Sequence, residues 1–161
     1  KISMMPFFIE AVQYLDRNHG PFEAAIGHSL GGMASLRAVK EGLKLEKLVI
    51  IGTANSVTHI TKDFARNMHL SQKVAEKMKA YLDRKLEKDM DSYSGAVSAK
   101  KVKVPTLVVH DKNDVDVPVN SAYEIRDNLE HGELLITEKL GHRRILGNEQ
   151  VINHILNFLR V

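Results

Sequence analysis

Phe22-Glu23-Ala24-Ala25-Ile26-Gly27-His28-Ser29-Leu30-Gly31-Gly32 is the stretch that decides how this chain is read. Phe22 to His28 has the apolar character of a short strand, and Ser29 to about Gly42 has the texture of a helix. A strand, a sharp turn carrying a serine, then a helix is the setting in which Gly-x-Ser-x-Gly lifts its serine above the strand end in a strained backbone. Strand and helix pass closely there, so side chains at Gly27 and Gly31 are expected to collide. The Ser29 hydroxyl is left exposed at a helix N-terminus, which favours developing negative charge. Ser29 is the candidate nucleophile.

Outward from this turn the chain alternates helix and strand. Met5, Phe8, Ile9, Val12 and Leu15 recur at helical spacing, which predicts an amphipathic helix over Ile2–Asn18. Gly20-Pro21 ends it. Leu45–Ile51 reads as a second strand, with a continuous apolar end suited to a parallel sheet covered on both faces. Val104–His110 is the third strand, with Pro105 near its start, where a missing N–H is tolerated. Val119–Leu129 is a helix, Glu133–Thr137 a fourth strand, and Val151, Ile152, Ile155, Leu156 and Leu159 mark a terminal helix. Between the second and third strands, Asn55 to Lys103 shows only helical periodicity with charged outer faces. The expected class is α/β: a predominantly parallel, four-stranded sheet flanked by helices. Residues 1–54 and 104–161 form its core, and 55–103 a helical insertion.

Bulk properties bound the function. The chain has 161 residues, enough for one domain with a real core. Its formal charge is +3 and its pI about 9.1, but lysines between Lys62 and Lys103 are interleaved with acids. That pattern fits a solvated helical face rather than a nucleic-acid track. A basic face that docks an acidic partner or an anionic substrate group is a further expectation. No cysteine is present, which excludes disulfides and thiolate metal sites and fits a cytoplasmic protein. No apolar run approaches the roughly 18 residues of a membrane span. No His-x-x-x-His or carboxylate cluster has metal-ligand spacing, so no metal is expected. Because Lys1 rather than methionine opens the chain, it is expected to derive from a longer polypeptide.

A serine hydroxyl needs a base to remove its proton, and the base works best when a carboxylate orients it. Both follow Ser29 at strand ends. Asp114 lies past the third strand, in His110-Asp111-Lys112-Asn113-Asp114-Val115-Asp116-Val117-Pro118, and His142 lies past the fourth, in Leu140-Gly141-His142-Arg143. The carboxyl ends of the strands are where an open α/β sheet places its site. Asp111 and Asp116 are nearby alternatives to Asp114; Asp116 is expected to support the loop or line a pocket. Among the other histidines, His19, His59, His69, His131 and His154 are expected at the surface. His110 is expected to be structural, and His28, beside the serine, to shape a substrate pocket.

The order Ser29, Asp114, His142 resembles the α/β-hydrolase family. Gly-His-Ser-Leu-Gly-Gly is similar to its lipase and esterase elbows, Val-Pro-Thr-Leu-Val-Val-His with Asp114 and Val117-Pro118 to its acid loop, and Leu-Gly-His142 to its histidine loop. The family pattern commonly has glycine at the position of Asp111. The stretch 55–103 resembles the family's helical cap. The resemblance implies a serine hydrolase acting on a small carboxylic ester or thioester, needing no cofactor. It implies Ser29 as nucleophile, His142 as base, Asp114 as its orienting acid and the Leu30 N–H as an oxyanion donor. It also implies a longer sheet, whose earlier part supplies a second oxyanion donor and covers the 22–28 strand. An uncovered 22–28 edge is expected to pair with another chain, with a second copy or with a further segment of its own protein. Two other readings stay open. Malonyl-carrier acyltransferases share Gly-His-Ser-Leu-Gly but continue with Glu where Gly32 stands here. A non-catalytic binding module of the same fold would leave Asp114 and His142 too far apart to bond.

Overall fold

The computed structural model describes residues 5–160. Its sheet has four parallel strands in the order β1 (Ala24–His28), β2 (Lys47–Ile51), β3 (Thr106–Asp111), β4 (Gly132–Thr137). Each strand starts one or two residues away from its expected position, because the flanking residues (Leu45, Val104) cover the sheet's lower edge without entering the ladder. The alternation along the two central strands sorts the core. Leu48, Ile50 and Val108 face helices α2 (Leu30–Lys40), α5 (Gly95–Ala99) and α6 (Asn120–Asp127), which contribute Leu36, Ala99 and Ile125. Val49, Ile51, Leu107 and Val109 face α7 (Glu149–Arg160), which contributes Val151 and Ile155. Residues 106–111 are buried throughout, as a central parallel strand requires.

Helix α1 (Met5–His19) packs on α2 through Met5 and Ile9. The predicted start at Ile2 lies outside the described residues. Its outer side carries exposed Phe7, Tyr14 and Leu15, and Ile26 on the neighbouring edge strand β1 is 56% exposed.

The insertion between β2 and β3 contains α3 (Val57–Asn67), α4 (Gln72–Leu86), a 3-10 turn at Met90–Tyr93 and then α5. Helix α3 starts at Ser56, whose hydroxyl accepts the His59 N–H at 3.2 Å. Asp91 reaches the same terminus: it accepts the Ser56 hydroxyl at 2.9 Å and the Thr58 N–H at 3.0 Å. Its carboxyl lies below the usual range because these bonds and Lys79 outweigh the cost of burial. Lys79 bridges Asp83 and Asp89, each at 2.7 Å, so its charge is neutralised within the insertion. The two ends of the excursion meet at Asn55, whose carbonyl takes the Gly95 N–H at 2.7 Å and whose side chain takes the Ala96 N–H at 2.9 Å. Helix α5 beyond this junction belongs structurally to the layer on the sheet. No helix among the described residues is long and apolar enough to cross a membrane.

Candidate active site

β1 runs into α2 through a single residue. Ser29 sits at φ 54°, ψ −119°, a left-handed φ that a serine adopts only under constraint. Its N–H continues the parallel ladder to the Ile51 carbonyl at 2.9 Å, which fixes the turn to β2. The close approach expected at Gly27 is present: a Cβ there would stand 2.7 Å from the Gly31 carbonyl oxygen and the Gly32 Cα. The second close approach is not at Gly31, where a Cβ would meet nothing within 4 Å among the described residues. It is at Gly32, where a Cβ would lie 1.9 Å from the Thr53 hydroxyl. The helix turns Gly31 outward and Gly32 toward the loop after β2. A glycine pattern alone does not give that rotation.

Asp114 lies three residues past the end of β3 and is buried. One oxygen, Oδ1, accepts the N–H groups of Asp116 at 2.9 Å and Val117 at 2.8 Å. The other, Oδ2, lies 2.7 Å from Nδ1 of His142. A carboxylate only accepts, so Nδ1 carries the proton. That leaves the lone pair of Nε2, which has no protein partner among the described residues. Behind the pair, Gly52 has φ +56°, and a Cβ there would come within 3.1 Å of His142 Nδ1. Glycine at this position leaves room for the imidazole.

Ser29, Leu30 and His142 line one cavity of about 370 Å³. Met33, Ala54 and Val117 give it an apolar floor, and Ile60, Phe64 and Asn67 of α3 form the facing wall. The Leu30 and Gly31 N–H groups, at the first turn of α2, have no intrahelical acceptor. Asp116 also lines the cavity, and its carboxylate forms no ion pair among the described residues. The ligating atoms of Asp114, Asp116 and His142 lie within 4.8 Å of one another, the one such group of His and acidic residues found among the described residues. Two of the three already bond each other.

The remaining candidates fall elsewhere. His28 is not on the cavity wall; its Nε2–H donates to the His142 carbonyl at 2.9 Å and its ring lies 4.5 Å from the His142 ring. His110 is fully buried beneath Asp114. It donates Nε2–H to the Val117 carbonyl at 2.9 Å and lies 3.5 Å from Asp114 Oδ2, while its Nδ1 has no partner among the described residues. Burial holds its pKa below the ordinary histidine value, against the pull of Val117 and Asp114. His19, His59, His69, His131 and His154 are exposed. Asp111, which sequence reading weighed only as a rival acid, faces the backbone of the histidine loop instead. Only the departure from glycine at that position hinted at a separate role.

Several solved structures share this arrangement of strands and helices. A hydrolase of the alpha/beta fold family from Bacillus anthracis superposes with a TM-score of 0.70 at 20% identity, over 96% of this chain and 73% of that one. Alpha/beta hydrolase domain-containing protein 10 from mouse gives 0.74 at 16%, over 98% and 68%. The monoacylglycerol lipase of Paleococcus ferrophilus gives 0.69 at 14%, over 98% and 75%. At these identities the likeness speaks to the fold. A comparison with curated proteins gives no match. The prolyl oligopeptidase family model, in contrast, matches residues 5–160. With that match across the described chain and the α/β-hydrolase architecture beneath it, this chain belongs to the prolyl oligopeptidase family of α/β hydrolases.

Proposed function

We propose that this protein is a serine hydrolase that cleaves a small carboxylic ester or thioester through an acyl-enzyme on Ser29. The observation that carries the reading is the 2.7 Å Asp114–His142 bond at the wall of the cavity that Ser29 also lines. Asp114 holds the Nδ1–H tautomer of His142, so Nε2 is the basic atom. Nε2 takes the Ser29 hydroxyl proton as Oγ attacks the substrate carbonyl. The Leu30 N–H stabilises the oxyanion of the tetrahedral intermediate. The intermediate collapses, the C–O or C–S bond breaks, and His142 returns its proton to the departing alcohol or thiol. Water, deprotonated by the same Nε2, then attacks the acyl-enzyme and frees Ser29. The apolar floor and the α3 wall suit a short acyl chain. In this reading the insertion is the cap and the β1–α2 turn is the nucleophile elbow.

A second reading, peptide-bond cleavage, is favoured by the prolyl oligopeptidase family match. The same groups serve an amide, with the proton delivered to an amine leaving group.

A fluorophosphonate probe separates these readings from a non-catalytic module. Labelling on Ser29, found by peptide mass spectrometry and abolished in Ser29→Ala, is expected. A folded protein that takes no label sinks both hydrolase readings. Rates on matched p-nitrophenyl esters and p-nitroanilides then distinguish ester from amide specificity.

A further inference from the structure

We infer that Asp111 is a positioning residue for His142: its carboxylate, on the acid-bearing loop, holds the backbone of the loop that carries the base. The inference rests on the assignment of His142 as base.

Asp111 is the last residue of β3 and is 1% exposed. A buried carboxylate normally has an ion-pair partner. Asp111 has none among the described residues, and its oxygens are satisfied by hydrogen-bond donors alone. Oδ2 accepts the Thr137 hydroxyl at 2.7 Å and the Leu140 N–H at 3.1 Å. Oδ1 accepts the Asn113 N–H at 2.9 Å. Asn113 extends the contact: its Oδ1 accepts the Lys139 N–H at 2.8 Å. Two successive N–H groups, 139 and 140, are thus held by two side chains at and just past the end of β3.

That grip falls where the backbone needs it. Lys139 has φ +65° and Gly141 φ +68°. Two left-handed residues flank Leu140, and one of them is not glycine, so the turn does not hold this shape by propensity. His142 follows directly. Glycine at position 111, the usual residue in the resemblance, supplies no acceptor to these groups. Asparagine supplies one oxygen in place of two and puts an NH2 against N–H donors. Release of the turn moves the imidazole relative to Asp114 and Ser29, and displacement of about 1 Å lowers rate about 100-fold.

The test uses Asp111→Asn and Asn113→Ala in the intact protein, with p-nitrophenyl acetate turnover, thermal midpoint and the downfield proton NMR signal of His142 Nδ1–H. Asp111→Asn is expected to lower kcat about 10- to 100-fold with KM changed less than about twofold. Asn113→Ala, at an exposed position, is expected to fold and to lower kcat about 3- to 10-fold by the same route. In both, the Nδ1–H signal broadens or shifts. Wild-type kcat and an unmoved signal in a folded Asp111→Asn overturn the inference. If that variant does not fold, the same result in Asn113→Ala overturns it. The NMR reading does not require turnover, so a wild-type protein that hydrolyses nothing defeats the proposed function while leaving the positioning role to be judged separately.

Discussion

Both oxygens of Asp114 are committed, one to two backbone N–H groups and one to His142, with His110 packed beneath. His110 therefore has a measurable consequence. Its native pKa is depressed by burial, whereas the unfolded chain titrates near about 6.5. Below that pH the unfolded state takes up a proton that the native state refuses. Its contribution to stability is present above pH 6.5 and is lost as pH falls toward the native pKa, by up to about 1.4 kcal/mol per pH unit. His110→Gln is expected to flatten the urea-midpoint profile between pH 7 and pH 5 relative to wild type; parallel profiles would refute this. Asp116 predicts a substrate preference. Among the described residues it is an unpaired carboxylate on an otherwise mainly apolar wall that no lysine or arginine lines. With Coulomb energies of about 1 kcal/mol at short range in solvent, Asp116→Asn should lower the ratio of kcat/KM for a cationic ester over a neutral one by about fivefold. An unchanged ratio counts against it. At this scale strand-end position singled out Ser29, Asp114 and His142 as candidates, and the structure sets Asp114 against His142 and His142 with Ser29 on one cavity. The sequence did not disclose what His28 and Asp111 hold. Their bonds go to backbone atoms of a loop distant in sequence, and such bonds have no periodic or compositional signature.

The turn from β1 to α2 shows how far a motif can be read as geometry. Gly27 and Gly32 stand where a methyl group does not fit, and Gly31 stands in the open. Gly32→Ala should destabilise by about 1–3 kcal/mol through overpacking. Thr53 offers no relief, since its Cβ and Cγ2 lie at 3.0 and 3.1 Å from the added atom. Gly31→Ala should leave stability equal or raise it by up to about 1 kcal/mol, as a helical Gly-to-Ala change does. Thermal melts of the two variants check both; a costly Gly31→Ala would restore the original expectation. In the insertion, the Asp91 bonds to Ser56 and Thr58 organise the start of α3, and with it the Ile60–Phe64 wall. Asp91→Ala is expected to raise KM more than it lowers kcat, in steady-state kinetics on one ester. Strand and helix identities were legible because apolar period and turn residues are local. Their ends shifted because ladder membership depends on the neighbouring strand.

Across the whole molecule, the parallel four-stranded sheet with helices on both faces was visible in the alternation of periods along the chain. The division of the insertion was not, because α5 has the same helical texture as α3 and α4 but packs on α2 and α6. Burial predicts a stability gradient. β2 and β3 are covered on both faces and both edges, while β1 and β4 each leave one edge unpaired within the described sheet. Hydrogen-exchange mass spectrometry should find the slowest amides in 48–51 and 106–110, faster ones in β1, and the fastest helical ones in α3 and α4. Uniform protection across the sheet and the insertion would contradict this gradient.

The junction at Asn55 has a consequence beyond stability. Because Gly95 and Ala96 return to the residue from which the excursion departs, everything between is topologically a loop on a closed body. Loop-closure entropy rises only about 0.6 kcal/mol for each doubling of length. Segments can be gained or lost in the α3–α4 hairpin without altering the strands that carry Ser29, Asp114 and His142. Over a lineage, the α3 wall of the cavity and the surroundings of Ser29, Asp114 and His142 are free to diverge at different rates.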